Sequence, residues 1–181
     1  MASQSANKPT KIIVFNQRKR WIFKTIPCNF GFYFTMKIMA LFLWLGTFLS
    51  MEAFAWFTHK YIMHGFMWRW HESHHVHHKN PLEKNDLFSV VFGIASTLTI
   101  IIGAEFPSFW PLIWIGLGIA TYGLFYFIFH DIIVHRRIKI KYKATSKYMK
   151  RIMKAHYVHH EVHTKEGAEA FGFLYAPKKF E

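Results

Sequence analysis

Cysteine is almost missing from this chain: Cys28 is the only one in 181 residues. No intramolecular disulfide can form and thiolate metal chemistry is not expected, so any metal must be held by nitrogen or oxygen. Acids are scarce too, ten Asp and Glu against 23 Lys and Arg. The resulting charge of +13 would suit nucleic acid, but the basic residues lie in two blocks beside apolar stretches. There they face anionic lipid, and no nucleic-acid partner is expected. No cleavable signal is expected either, because the basic leader is too long and no small-residue cleavage site follows the apolar block.

Lys and Arg are absent from residues 38–58, 87–104 and 109–129. Each stretch is long enough, or nearly so, to cross a hydrocarbon core of ~30 Å, which takes about 20 helical residues. Between the second and third, Glu105-Phe106-Pro107-Ser108 leaves room only for a tight turn, so these two spans form a hairpin whose open ends share one side. Residues 136–154 carry nine Lys or Arg and no acid, which puts that side in the cytosol by the positive-inside rule. The expected fold is an all-α integral membrane protein of three transmembrane helices with a cytosolic, histidine-rich helical cap. In a bacterium this is the inner membrane. Residues 1–35, with six Lys or Arg and no acid, would fall on the wrong side after a single crossing. Either residues 26–36 make a partial fourth crossing, or the biological start is Met36, leaving 1–35 as a basic extension and 36–181 as the working domain. Residues 1–25 also have the composition of an organellar presequence.

Histidine is the residue in excess, thirteen in all. Ten fall into four groups: His59-Lys-Tyr-Ile-Met-His64, His71-Glu-Ser-His74-His75, His130-Asp-Ile-Ile-Val-His135 and His156-Tyr-Val-His159-His160. The pattern is H-x4-H then H-x2-H-H, repeated once. Each triplet sits at i, i+3 and i+4, which on an α-helix predicts one face and one reachable metal. Each H-x4-H pair lies ~140° apart around an α-helix, so it predicts a helix end or a local distortion. Imidazole suits Fe, Zn, Cu or Ni, and ten nitrogen donors exceed the coordination number of one ion, which points to two. His77, His78 and His163 cannot be set aside on spacing, since His78 and His163 stand seven residues after His71 and His156.

Glu52 lies inside an apolar stretch, seven residues before His59, where an acid needs a partner. It is expected to accept from a ligand imidazole N–H or to form part of a polar pocket, with a backbone or neighbouring-helix partner as the alternative. Asp131 and Asp86 are weaker candidates for the same task, and Glu72 reads as solvated. Phe54, Trp56, Phe57, Phe125, Tyr126 and Phe129 could line apolar space or simply pack.

The segments His59 to Gly65, Trp70 to His75, Glu83-Lys-Asn85-Asp86-Leu87, Tyr122 to Tyr126, His130 to Arg136, Ala155 to His160, and Lys165-Glu-Gly167 through Phe171-Gly-Phe-Leu-Tyr-Ala-Pro177 resemble the bacterial β-carotene hydroxylase family. That family belongs to the fatty acid hydroxylase and sterol desaturase superfamily. The likeness runs from about residue 36 to 177. It implies a non-haem di-iron monooxygenase that puts one oxygen atom of O2 on C3 of each β-ionone ring, giving β-cryptoxanthin and then zeaxanthin, with electrons from a ferredoxin-type donor. The ligands it implies are His59, His64, His71, His74, His75, His130, His135, His156, His159 and His160, while His77, His78 and His163 are not required. Rivals within the class are a carotenoid ketolase and a fatty acid or sterol oxidase. A metal transporter would place polar groups along its spans, yet Glu105 is the only charge between 87 and 129. A haem carrier would use isolated axial histidines rather than triplets.

Overall fold

The computed structural model describes residues 10–15, 21–26, 30–76, 80 and 82–181. The chain divides into two compact units, residues 1–39 and 40–181. In the first, β1 (Thr10–Phe15) pairs antiparallel with β2 (Trp21–Ile26), Thr10 opposite Ile26 and Phe15 opposite Trp21. Both strands are rich in the β-branched and aromatic residues that fit a pleated surface. They are the only strands among the described residues, whose other regular elements are helical as expected from the sequence.

Three helical stretches are long and apolar enough to cross a membrane: Tyr33–Phe66, Asp86–Glu105 and Pro111–Val134. Residues 30–36 belong to α1 (Phe30–Phe57), so among the described residues the alternative of a separate fourth crossing gives way to three spans. At ~1.5 Å per residue the first stretch, 34 residues long, reaches roughly 50 Å, well beyond the hydrocarbon core. Its excess length is a π-helical segment, Thr58–Phe66. A second π-helical segment, Phe127–Val134, continues α4 (Pro111–Tyr126). α3 (Asp86–Glu105) precedes α4, and the short connection has Pro107 opening a 3-10 turn and Pro111 opening α4, where a missing N–H costs nothing.

α3 and α4 pack closely through two glycines. A Cβ on Gly103 would lie 2.7 Å from the Ile113 backbone nitrogen, and one on Gly116 would lie 2.9 Å from the Ser96 carbonyl. Ser96 Oγ donates to the Gly116 carbonyl at 2.8 Å across the same contact. α1 meets α4 through Gly118, where a Cβ would be 2.8 Å from the Trp44 carbonyl. Large side chains such as Phe42, Leu49, Val90, Leu98 and Leu124 point outward and are exposed, as a lipid-facing surface requires.

At the end of the first stretch, Gly65 leaves helical geometry (φ −106°, ψ −125°) and turns the chain into α2 (Trp68–His75). α5 (Lys147–His160) is capped by Ser146, whose Oγ accepts the Met149 N–H at 3.2 Å, satisfying one of the free donors of its first turn. Ile152 and Ala155 of α5 pack with Ala176 and Phe180 of the tail. Phe173 joins Met51 of α1 and Tyr122 of α4 in a second buried cluster.

Glu52 holds that arrangement. One carboxylate oxygen accepts the Phe173 and Leu174 N–H groups at 2.8 and 2.7 Å, and the other accepts the Tyr122 hydroxyl at 2.8 Å. The expected bond to a ligand imidazole is not made. Its partners are the tail backbone and the neighbouring helix, because Phe173 and Leu174 bring unpaired amides into an apolar span where a carboxylate satisfies them.

Candidate metal centre

The π-helical segments explain the H-x4-H spacing. A π turn closes i to i+5 hydrogen bonds, and the His135 N–H donates to the His130 carbonyl at 2.8 Å in this way. Residues five apart are thereby brought to one side: ring centroids lie 5.3 Å apart for His59 and His64, and 4.4 Å for His130 and His135. The distortion anticipated from the sequence occurs inside a continuing helix.

Ten histidines converge into two groups of five, each with one ring nitrogen per residue within 4.8 Å of all the others in its group. The first is His59, His64, His71, His75 and His159, the second His74, His130, His135, His156 and His160. This corrects the expectation that each triplet serves one metal. In both triplets the i and i+4 residues go to one group and the i+3 residue to the other. α2 and α5 each contribute to both groups, the i+3 imidazole, on the flank of the i/i+4 pair, joining the other one. The result is a pseudo-twofold exchange in which His74 completes the second group and His159 the first.

Hydrogen bonds to the outer ring nitrogens fix the tautomers in the first group. The Nδ1–H groups of His59, His64, His75 and His159 donate to the carbonyls of Phe171, Lys165, Val162 and Glu169 at 3.0, 3.0, 2.8 and 2.7 Å, and that of His71 donates to Asn85 Oδ1 at 2.8 Å. A carbonyl can only accept, so each neutral ring carries its proton outward and a bare lone pair on Nε2. Those lone pairs nonetheless approach to 3.0 Å for His59 and His71, 3.1 Å for His71 and His75, and 3.3 Å for His64 and His159. With no proton between them such contacts are repulsive, and a cation coordinated by all five relieves the repulsion. The donor set therefore fits a metal ion.

The second group is held differently. His74 donates to Glu83 Oε2 at 2.8 Å and His130 to Asp131 Oδ1 at 2.7 Å, and their Nε2 atoms stand 3.2 Å apart. Arg137 lies 3.0 Å from Glu83, 2.8 Å from Asp86 and 3.9 Å from Asp131. Arg136, with a left-handed φ of 54°, turns the chain so that Arg137 reaches these acids. Among the described residues no acceptor stands behind His160, and His135 and His156 contact one another at 2.7 Å.

Burial keeps the imidazoles outside the spans neutral. It lowers the pKa of His75 to about 4 and that of His159 to about 3, and it moves His74 and His156 well below the ordinary value, with neighbouring imidazoles adding to the effect. Neutral imidazole is the form that binds metal.

Asp131 thus stands where the sequence suggested. Asp86 accepts the Glu83 N–H at 2.9 Å and pairs with Arg137 instead of touching a ring. His163 is exposed and belongs to neither group, while His77 and His78 lie outside the described residues. Sequence reasoning gave no chemical role to Glu83, Asn85, Arg137 or the carbonyls of 162–171. The signal was available in the Glu83–Leu87 and Lys165–Pro177 segments, which carry the family resemblance without being metal ligands.

An apolar cavity of about 390 Å³ ends at His59, His130 and His156, and is walled by Met51, Phe88, Phe92, Tyr122, Tyr126 and Phe173 among others. Of the six aromatics singled out in the sequence, only Tyr126 lines it, and Phe54, Trp56, Phe57 and Phe125 point outward.

Two five-imidazole clusters at the end of three apolar helices define a membrane protein with a paired metal-binding constellation. The family model described as fatty acid hydroxylase matches residues 44–176, and the chain belongs to that family. It is 50% identical over 131 residues to the β-carotene hydroxylase of Pantoea ananas, covering 72% of this chain and 74% of that one. To the β-carotene hydroxylase of Paracoccus sp. (strain PC1) it is 44% identical over 135 residues, covering 74% and 82%. The chloroplastic β-carotene hydroxylase 1 of Capsicum annuum is 30% identical over 138 residues, 75% of this chain and 43% of that protein. No solved structure matches.

Proposed function

We propose that this protein is a membrane-bound carotenoid hydroxylase. It puts one oxygen atom of O2 on C3 of each β-ionone ring of β-carotene, giving β-cryptoxanthin and then zeaxanthin. The observation that carries this reading is the apolar cavity ending on both imidazole clusters, because it would bring a lipid-soluble hydrocarbon against a metal pair. The similarity to β-carotene hydroxylases supplies the substrate class. In the proposal the ten histidines hold two non-haem iron ions, His59, His64, His71, His75 and His159 around one and His74, His130, His135, His156 and His160 around the other.

The irons would supply the activation of O2 needed to oxidise an unactivated ring C–H. The second oxygen atom leaves as water, with two electrons from a ferredoxin-type donor and two protons from solvent. The chain's own residues do the rest. Phe88, Phe92 and Phe173 offer the ring an apolar wall, and Met51 with Ala55 excludes water from the inner end. Glu52, by tying Phe173 to α1 and α4, keeps that wall in register with the imidazoles. Asn85, Glu83 and Asp131 orient His71, His74 and His130. The basic stretch at 136–154 argues for an inner-membrane location with the histidine face in the cytosol.

Expression in cells that accumulate β-carotene tests the reaction. Zeaxanthin and β-cryptoxanthin are expected. Canthaxanthin would mark a ketolase instead, and unchanged pigment with iron-loaded protein would point to a fatty acid or sterol substrate. Purified protein should hold about two irons without a haem spectrum.

A further inference from the structure

The cavity is not closed on every side, and its open wall is confined to two helices. Its lining residues on α1, on the π-helical segment after it and in the tail, such as Met51, Thr58 and Phe173, are buried or half-buried. The exposed ones are Ser89, Gly93 and Thr97 of α3 and Ala120, Gly123 and Phe127 of α4. The glycines of this hairpin divide the same way. Gly103 and Gly116, near the turn, leave no room for a Cβ, whereas a Cβ on Gly93 or Gly123 would meet nothing within 4 Å. Close backbone approach is thus found at the glycines nearer the turn, while the two nearer the histidine end border open space.

The Thr58 hydroxyl, on a residue only 4% exposed, lines the cavity and has no hydrogen-bond partner; a hydrocarbon ring offers it none, whereas the hydroxyl of an oxidised ring is a partner it can use. The cavity volume of about 390 Å³ falls near the bottom of the ~300–1,000 Å³ range that encloses a drug-sized molecule. A forty-carbon hydrocarbon can place only one end there, and the remainder must leave through the open wall.

We propose that the cleft between α3 and α4, bordered by Ser89 and Gly93 on one side and Ala120 and Gly123 on the other, is a lateral portal to the bilayer in which the polyene chain lies while its terminal ring occupies the cavity. Gly93 and Gly123 determine specificity for chain length, because any side chain at either position would project into the passage. This rests on the carotenoid reading above. It adds that the ring is recognised in the cavity and the chain in the cleft, by different residues.

The test compares two substrates with the same ring, β-carotene and the short-chain β-ionone, on Gly93→Leu and Gly123→Leu proteins in vesicles. The ratio of β-carotene to β-ionone turnover is expected to fall at least ~10-fold in either variant, with iron content as in the parent protein. Gly46→Leu, where a Cβ also meets open space but away from the cavity, should keep the parent ratio. A ratio unchanged in both portal variants, with β-carotene still hydroxylated, overturns the portal. Failure of the parent protein to hydroxylate β-carotene overturns the functional reading instead.

If β-ionone proves too poor a substrate, Gly93→Cys in a Cys28→Ser background gives an independent measurement. A lipid-soluble pyrenyl maleimide should label it at least ~5-fold more slowly when β-carotene is in the membrane, a loss of access expected of an occupied site. Equal labelling rates in a protein that hydroxylates β-carotene would likewise overturn the portal.

Discussion

In the first imidazole cluster, His59, His64, His75 and His159 are braced by backbone carbonyls and His71 by Asn85. In the second, His74 and His130 alone are braced among the described residues, and by the carboxylates of Glu83 and Asp131. The sequence motif is the same in both, so the difference comes from what surrounds it. Carbonyls set geometry without adding charge, and the tail segment 162–171 delivers four of them as one piece. Carboxylates add negative charge close to a bound cation and strengthen the donor imidazole, while the Arg137 guanidinium beside Glu83, Asp86 and Asp131 offsets part of that charge. The first cluster is braced by neutral oxygens at every ring, the second by carboxylates at two. Quasi-symmetric ligands thus make two chemically unequal positions.

The largest expected effects come from the imidazoles themselves. Alanine at any of the ten should cost more than the ~10–100-fold that loss of an outer partner costs, judged by pigment conversion. Because α2 and α5 each serve both clusters, His74→Ala should remove the iron of the second cluster and spare that of the first, which Mössbauer spectra of the enriched protein can distinguish. Loss of the first iron would break the assignment.

Next come the carboxylates. Glu83→Gln and Asp131→Asn should weaken one of two irons by ~10–100-fold, seen as one equivalent released faster to a chelator. Asn85→Asp should make the other equivalent slower to leave. Equal acceleration of both equivalents by Glu83→Gln would mean that the two positions share their bracing.

A smaller effect concerns acid. His75 and His159, held near 4 and 3 by burial, stay neutral in the folded chain while the unfolded chain binds protons below its ordinary value of about 6.5. The metal-free protein should therefore be fully stable above pH ~6.5 and lose ~1.4 kcal/mol per pH unit for each such histidine as pH falls towards 4. Unfolding midpoints at pH 7 and 5 check this, and iron-loaded protein should resist acid further. Smallest of all, His163→Ala should change activity less than ~2-fold, as a substitution at an exposed residue outside both clusters; a loss like that of His75→Ala would place His163 in the first cluster.

Much of this was legible in the sequence. The three spans follow from long stretches without Lys or Arg, and the need for a distorted helix follows from H-x4-H. The partition of the triplets was not legible, since whether an i+3 imidazole joins its own pair or the opposite one depends on where a second helix lies. Nor was the partner of Glu52: seven-residue spacing places it on the His59 side of a helix, but the amides of Phe173 and Leu174, 121 and 122 residues away, claim it. The carbonyl braces were invisible because a backbone oxygen has no letter of its own.

The crossing of His74 and His159 between clusters also constrains how the protein comes into being. As the chain is made, residues 59–75 supply four of the five donors of the first centre, and the fifth arrives only with His159. The second centre likewise needs His74 from the earlier part. In the proposed reading, neither centre would close on a nascent or truncated chain that ends before α5, and metal capture would be a late event that reports completion of the whole membrane domain.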